Sequence, residues 1–285
     1  MKVKRTTVVG CGLIGASFAL ALRRCSPDVC IAGWDSSSIT LNRALERGII
    51  DEFDETFDRE QVSTSDLIYL AMPVGGIRRF LQDHGAHVAP GAIVTDAGST
   101  KSEVCETALN YLPEGRLFIG GHPVTGSHLA GLEHARADLF ECAPYALIKD
   151  YLNENDEALA TMTELVEMLG ARVILTTAAE HDRAMALVSH LPQLISCTLA
   201  ATIEGQVDSD ALKRMVGPGY RDMTRLAGSS WSIWRDILAA NAGPIVSALD
   251  EMLDLLLAVR DELRRGGGRP NPQLVKTSTL FNRPL

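Results

Sequence analysis

The stretch "TTVVGCGLIGASFALALRRC", residues 6–25, decides the fold. Thr6, Thr7, Val8 and Val9 run into a glycine cluster, and the cluster runs into an apolar segment that starts near Leu13. That order reads as a buried strand, a tight turn and a helix over residues 13–24. Gly10, Gly12 and Gly15 fit the spacing G-x-G-x-x-G. In that pattern the first glycine makes the turn, the second lets backbone approach a pyrophosphate, and the third lets the helix pack closely on the strand. Leu13 and Ile14 sit between them, where a helix N-terminus offers unpaired N–H groups and the positive end of its dipole. Glycines also mark ordinary turns, so the context must carry the reading.

The context agrees. A second strand, "VCIAGWD", ends at Asp35, twenty residues beyond Gly15, where an acidic residue holds a ribose 2′-hydroxyl. Asp35 is also a candidate N-cap for the helix that follows. Its charge would repel a 2′-phosphate and no arginine follows it, so the expected cofactor is NAD, with NADP less favoured. Further strands are expected over residues 66–74, 91–99, 117–124, 145–150 and 171–176, alternating with helices. The expected fold class is therefore α/β, a Rossmann-type doubly wound, mostly parallel sheet. Ligands of such sheets sit beyond the carboxyl ends of the strands. Pro73, Ser99 and His122 all fall at such ends and point to one crevice.

His122 belongs to "IGGHPVTGSHLAGLEHA", residues 119–135, with His128 and His134 at intervals of six. Six helical steps turn the chain by about 600°, leaving successive rings roughly 120° apart. Metal-binding pairs want positions four apart, so no metal is expected.

After residue 177 the strand pattern stops. Residues 180–205 read as a helix that is apolar on nearly every face and hence buried at the centre of the fold. Pro192 removes a hydrogen bond to the Val188 carbonyl and should kink it beside His190. In the helix over residues 244–265, Ile245, Leu249, Met252, Leu256 and Val259 form a stripe widened by Leu253, Leu255 and Leu257, which suggests burial against a second subunit. The expected division is a dinucleotide-binding domain (1–177), a helical substrate and dimerisation domain (178–265) and a flexible tail (266–285).

Composition sets outer bounds. The chain has 285 residues, 46% hydrophobic and 22% charged, with a net charge of −9, which argues against a nucleic-acid partner. Six scattered cysteines with no C-x-x-C read as reduced, mostly core thiols of a cytoplasmic protein. The first twenty-five residues sketch a signal peptide, but three glycines fit poorly in a cleaved apolar region. No run approaches about eighteen uninterrupted apolar residues, so no membrane span is expected.

The motifs "GCGLIGAS", "VTDAGSTK", "GGHPVTG…AGLEHA", "SHLPQ" and "YRDMTRLAGSS…IWRDI" occur in that order. With them the chain resembles the prephenate and arogenate dehydrogenases of tyrosine biosynthesis over roughly residues 8–263. The resemblance implies a nicotinamide-binding domain followed by a helical homodimerisation domain. It also implies oxidative decarboxylation of prephenate to 4-hydroxyphenylpyruvate, or of arogenate to tyrosine. His122 then matches the base that takes the ring hydroxyl proton, a task suited to a neutral imidazole. Ser99 would hydrogen-bond that hydroxyl and His122, Arg225 would hold a substrate carboxylate, and His190 would line the pocket. Lys101 reads as a solvated helix residue with no assigned role, and His134 as a bystander. Two positions depart from many prephenate-specific members: Gln193 stands where they carry a histidine, and His128 where some carry a glutamate. Both lie near the substrate side chain, and uncharged Gln193 suits either substrate. The expected activity is therefore prephenate oxidation with some use of arogenate. A non-catalytic NAD sensor would not need Ser99, His122 and Arg225 together. A 3-hydroxyacid dehydrogenase would need a lysine–asparagine pairing that residues 178–205 lack.

Overall fold

β1 (Arg5–Val9) passes through the glycine turn into α1 (Leu13–Cys25), and β2 (Cys30–Trp34) returns beside β1. The structure, a computed structural model, describes residues 3–53, 59–125, 131–150, 156–206 and 209–265. Next come α2 (Ser38–Glu46), β3 (Glu52–Phe53), α3 (Arg59–Thr64), β4 (Leu67–Leu70), α4 (Val74–His84), β5 (Ile93–Asp96), α5 (Ser102–Tyr111) and β6 (Leu117–Ile119). The strands form a parallel six-stranded sheet in the order β3-β2-β1-β4-β5-β6. The chain walks outward from β1 to β3 and then crosses back to β4, so a crevice opens beyond the carboxyl ends of β1 and β4.

Both faces of this sheet are covered, and alternation along the strands shows it. Val8, Leu67 and Tyr69 join one buried cluster with Phe18 and Leu22 of α1, whereas Val9, Ile68 and Leu70 join another with Ile77 and Leu81 of α4. The ring of Phe18 stacks on Tyr69 at 3.7 Å between centroids. The stretch that sketched a signal peptide is the central strand, with Val8 and Val9 fully buried.

The expected strand over 117–124 is two strands in two sheets. After β6 the chain bends at Gly120, and β7 (Gly121–Pro123) pairs antiparallel with β8 (Pro144–Ile148). After α6 (Asp156–Met168), β9 (Arg172–Thr176) joins β8 in parallel, completing a separate three-stranded sheet. The bend needs glycine. A Cβ on Gly121 would lie 2.6 Å from the Asp96 carbonyl oxygen, and one on Gly120 would lie 3.0 Å from Cys105 Sγ.

Helices follow: α7 (Ala178–Met185), a π-helical turn over Ala186–His190, α8 (Leu191–Glu204), α9 (Ser209–Arg214), α10 (Pro218–Thr224), α11 (Trp231–Ala240) and α12 (Ala242–Arg264). Thr177 and Glu180 close a capping box on α7. The π turn just before Pro192 absorbs the hydrogen bond that proline cannot donate. The expectation of a centrally buried helix is corrected. Leu187 and Val188 are 39% and 68% exposed, and the buried residues of α8 are Gln193 and Ser196. Buried polar side chains thus share the inward face with Met185 and Ala186, while Leu187 and Val188 face outward. Contrary to the reading by uninterrupted runs, Ala178–Glu204 is long and apolar enough, by length and composition alone, to cross a membrane. Its buried His190, Gln193 and Ser196, however, are hydrogen-bonded to neighbouring parts of the chain. The cysteines also depart from expectation. All six are unpaired, but Cys11 and Cys105 alone are buried, while Cys142 is exposed.

Candidate active site

The glycine turn has the shape its spacing implies. Gly10 adopts φ +94°, and a Cβ there would lie 2.6 Å from the Ala71 carbonyl oxygen. A Cβ on Gly15 would collide with the Gly10 carbonyl oxygen at 1.9 Å, so α1 sits directly on the turn. At Gly12, the N-cap of α1, an added Cβ would meet nothing, and that face of the backbone is open. Leu13 and Ile14 begin the helix, whose first turn holds no acidic residue, so its amides and dipole are free to face an anion. This cradle fits a dinucleotide pyrophosphate.

Asp35 stands at the end of β2 and accepts from Cys11 N at 2.9 Å and from Ser37 N at 2.9 Å. It thereby ties the acidic position to the glycine turn. The cap of α2 is Ser37, which accepts from Thr40 N, and not Asp35. A carboxylate has about four acceptor positions, so Asp35 keeps capacity for sugar hydroxyls. Cys11 is inert beside it, because burial and then the Asp35 charge push its thiol up to about 12. Pro73 lies exposed at the N-cap of α4, where Gly75 N reaches Asp236 Oδ2 of α11 at 3.3 Å.

His122 lies at the middle of β7 and is 9% exposed. Its Nδ1 is 2.8 Å from His181 Nε2, and His181 Nδ1 is 2.9 Å from Asp182 Oδ1. Asp182 also accepts from the backbone N–H groups of Lys101 at 2.7 Å and Ser102 at 2.8 Å, at the start of α5. Burial, followed by the neighbouring His181, Lys101 and His190, holds the His122 imidazole well below the usual histidine range. It is neutral at working pH. Burial opposes ionisation of Asp182, but the bonds from His181, Ser102 and Lys101 outweigh it and hold that carboxyl below its usual range.

Lys101, read from sequence as solvated, is fully buried and paired with Asp96. Its Nζ donates to the Gly121 carbonyl at 2.6 Å, while Asp96 accepts from Gly121 N at 3.1 Å and Gly98 N at 2.8 Å. The ion pair thus staples the loop that carries Ser99 to the strand that carries His122. Ser99 is partly buried and makes no hydrogen bond among the described residues, so its hydroxyl is available.

The helical domain brings a second group. His190 Nδ1 lies 3.0 Å from Asn241 Nδ2, which also donates to the Asp182 carbonyl at 2.7 Å. Burial, only partly countered by Asp182, lowers the His190 pKa to about 4. Trp234 meets the His190 ring edge-on at 5.8 Å. Gln193 is buried, and its amide is engaged: Nε2 donates to the Leu226 carbonyl at 2.9 Å, and Oε1 accepts from Ser229 Oγ at 3.4 Å. Ser196 Oγ accepts from Ala227 N at 3.0 Å. Together they pin the turn Arg225–Gly228, which holds Arg225 exposed and without an ion pair among the described residues. His134 is exposed in the short turn Leu132–His134, and His128 lies outside the described residues.

Asp96, Lys101, His181, Asp182 and Asn241 escaped the reading of the sequence. The usable signal was slight: His181 and Asp182 sit within the polar run "EHDR", residues 180–183, at the start of an apolar helical stretch.

The chain matches two family models, "Prephenate dehydrogenase, nucleotide-binding domain" over residues 18–175 and "Prephenate dehydrogenase, dimerization domain" over residues 177–277. It is 36% identical over 243 residues to a prephenate dehydrogenase of Lactococcus lactis, covering 84% of this chain and 65% of that one. It therefore spans slightly less than two thirds of that relative's length. Among solved structures, a prephenate dehydrogenase from Aquifex aeolicus in complex with hydroxyphenyl propionate and NAD+ superposes with TM-score 0.89 at 27% identity, over 99% of this chain and 98% of that one. Synechocystis arogenate dehydrogenase superposes with TM-score 0.81 at 31% identity, over 98% and 97%.

Proposed function

Because the chain belongs to the prephenate dehydrogenase family, we propose that it oxidatively decarboxylates prephenate to 4-hydroxyphenylpyruvate with NAD as oxidant. The observation that carries the reading is the buried, neutral His122, whose Nδ1 is engaged by His181 and whose Nε2 is left to meet a substrate hydroxyl. A bound nicotinamide dinucleotide supplies the hydride acceptor. The residues of the chain do the rest. His122 takes the hydroxyl proton as the hydride departs, which lets the C–O bond shorten toward a carbonyl. Ser99 orients the hydroxyl, and Arg225, a cation on a pinned turn with no ion pair among the described residues, holds a substrate carboxylate through its planar fork. Asp35 favours NAD because a 2′-phosphate would face its charge.

Arogenate differs in carrying an ammonium group where prephenate has a keto oxygen. His190, with its pKa near 4, is neutral, and Gln193 carries no charge, so neither repels that ammonium. Measurable arogenate activity is therefore part of the proposal, and the similarity to an arogenate dehydrogenase favours it. The outward apolar residues Leu187, Val188, Val246 and Leu253 support a homodimer built on the helical domain.

The test is His122→Asn assayed with prephenate and NAD. Losing a general base should lower kcat on the order of 10²–10⁴-fold while NAD affinity stays near that of the parent. A variant with parental kcat would end the assignment of His122.

A further inference from the structure

His181 touches His122 on one side and Asp182 on the other, and the donor and acceptor roles along this row follow from the ring tautomers. Asp182 is an acceptor, as the two α5 backbone N–H groups that it binds require. His181 Nδ1 must then hold a proton, donated to Asp182 Oδ1 at 2.9 Å. In a neutral ring His181 Nε2 is consequently bare, and it accepts from His122 Nδ1–H at 2.8 Å. His122 Nε2 is bare in turn and is the basic nitrogen. One carboxylate, two residues along the network, thus selects the tautomer of the base.

We propose that His181 is also the seat of the borrowed proton: as His122 Nε2 takes the substrate hydroxyl proton, the His122 Nδ1 proton passes to His181 Nε2 and rests beside Asp182. This rests on the oxidative decarboxylation proposed above. The balance closes within the site. The substrate C–H bond gives its electron pair to the nicotinamide dinucleotide as hydride, so the ring carbon is oxidised and the cofactor reduced. The bond to the ring carboxylate then breaks, CO2 leaves, and its electron pair flows through the ring to the oxygen as the ring aromatises. That phenolate oxygen reclaims a proton from His122 Nε2, and His181 hands its own back to His122 Nδ1. No net proton is released, so a pair of buried rings suffices and no channel to solvent is needed.

The surroundings favour His181 over His122 as the resting place. Lys101, paired with Asp96, lies on the His122 side through the Gly121 carbonyl, and a cation there opposes a second one. On the other side stand the Asp182 carboxylate and, at the N-terminus of α7, Asp150, which accepts from Ala178 N at 3.0 Å. Cys105 on α5 is kept neutral by burial, and His190, held by Asn241, is neutral too.

His181→Gln tests the idea, because its amide oxygen can accept from His122 Nδ1–H but cannot take the proton. We expect kcat to fall on the order of 10²-fold. The acidic limb of the kcat/KM profile should also move to lower pH by roughly 1–3 units, since protonation then falls on His122 alone. A proportional loss of rate with an unmoved limb would reduce His181 to a structural support and overturn the relay. The wild-type protein labelled with 15N-histidine and observed without substrate gives a second readout, independent of turnover and of how any variant folds. His181 should be protonated on Nδ1 and bare on Nε2 at neutral pH, and a ring protonated on both nitrogens would overturn the proposal. An active His122→Asn variant would instead remove the parent reaction scheme, so the two failures are distinguishable.

Discussion

Asp35 holds two backbone N–H groups, those of Cys11 and Ser37, and so has a structural task besides any contact with a cofactor. Asp35→Ser should therefore do two things. Removal of the charge should raise kcat/KM for NADP relative to NAD, because the 2′-phosphate no longer faces a carboxylate. Loss of the bond to Cys11 N should also loosen the glycine turn and raise KM for NAD. Paired kinetics with both cofactors decide it, and a wild-type preference for NADP would sink the cofactor assignment outright. At this scale the sequence was legible where spacing encodes geometry, as in Gly10, Gly12, Gly15 and Asp35. It was opaque where burial decides the role. Lys101 looks like any solvated lysine until Asp96 and the Gly121 carbonyl enclose it, and those partners lie five and twenty positions away. His181 and Asp182 are adjacent in sequence, yet one reaches His122 and the other α5, contacts that no local spacing announces.

Among the elements, α8 and the turn Arg225–Gly228 work as a unit. The Gln193 amide grips the Leu226 carbonyl and Ser229, and Ser196 grips Ala227, so the orientation of Arg225 depends on α8. Arg225→Ala should raise substrate KM far more than NAD KM, since truncating one partner of a charged hydrogen-bonded pair costs on the order of 2–5 kcal/mol. Gln193→Ala should move the same parameter in the same direction by less, because it frees the turn without removing the cation. The double variant should lose less than the sum of the two, which is the mark of shared action. Equal effects on both KM values would point to a folding defect instead. Element types were readable here from periodicity, but two joints were not. Gly120 and Gly121 split one apolar run between two sheets because Cys105 and Ile148 crowd the first and the Asp96 carbonyl, from a different strand, crowds the second. Pro192 announced a disturbance in its helix, but not its form, a π turn ending at His190 whose Ala186 packs against Ile245 and Ala248 of α12.

Over the whole molecule, Leu187 and Val188 of the π turn and Val246 and Leu253 of α12 stay outside, while Ala186, Ile245 and Ala248 pack inward beside the buried polar groups His190, Gln193 and Ser196, so a helix that reads as a core element in sequence is half outward-facing. The polar groups drawn in also make global stability depend on pH. His122 and His190 are buried and neutral, with pKa values depressed chiefly by burial, His190 to about 4. Unfolding returns each ring to water, where it titrates near 6.5. Between pH 6.5 and about 4, then, the unfolded chain binds more protons than the native one, and stability rises with pH across that window. Read downward, the stability present above pH 6.5 is lost progressively as the solution is acidified. By pH 5 the loss from His190 alone is about 2 kcal/mol, from the difference between the two pKa values. His122 adds to it with the same sign, whereas Asp182, a carboxyl held low, adds its own loss at lower pH. Urea unfolding at pH 7 and pH 5 checks this: the midpoint should fall markedly for the parent protein and by a smaller amount for His190→Gln, which removes one of the titrating rings. A midpoint that holds or climbs at pH 5 would mean that these histidines are not buried in their neutral form.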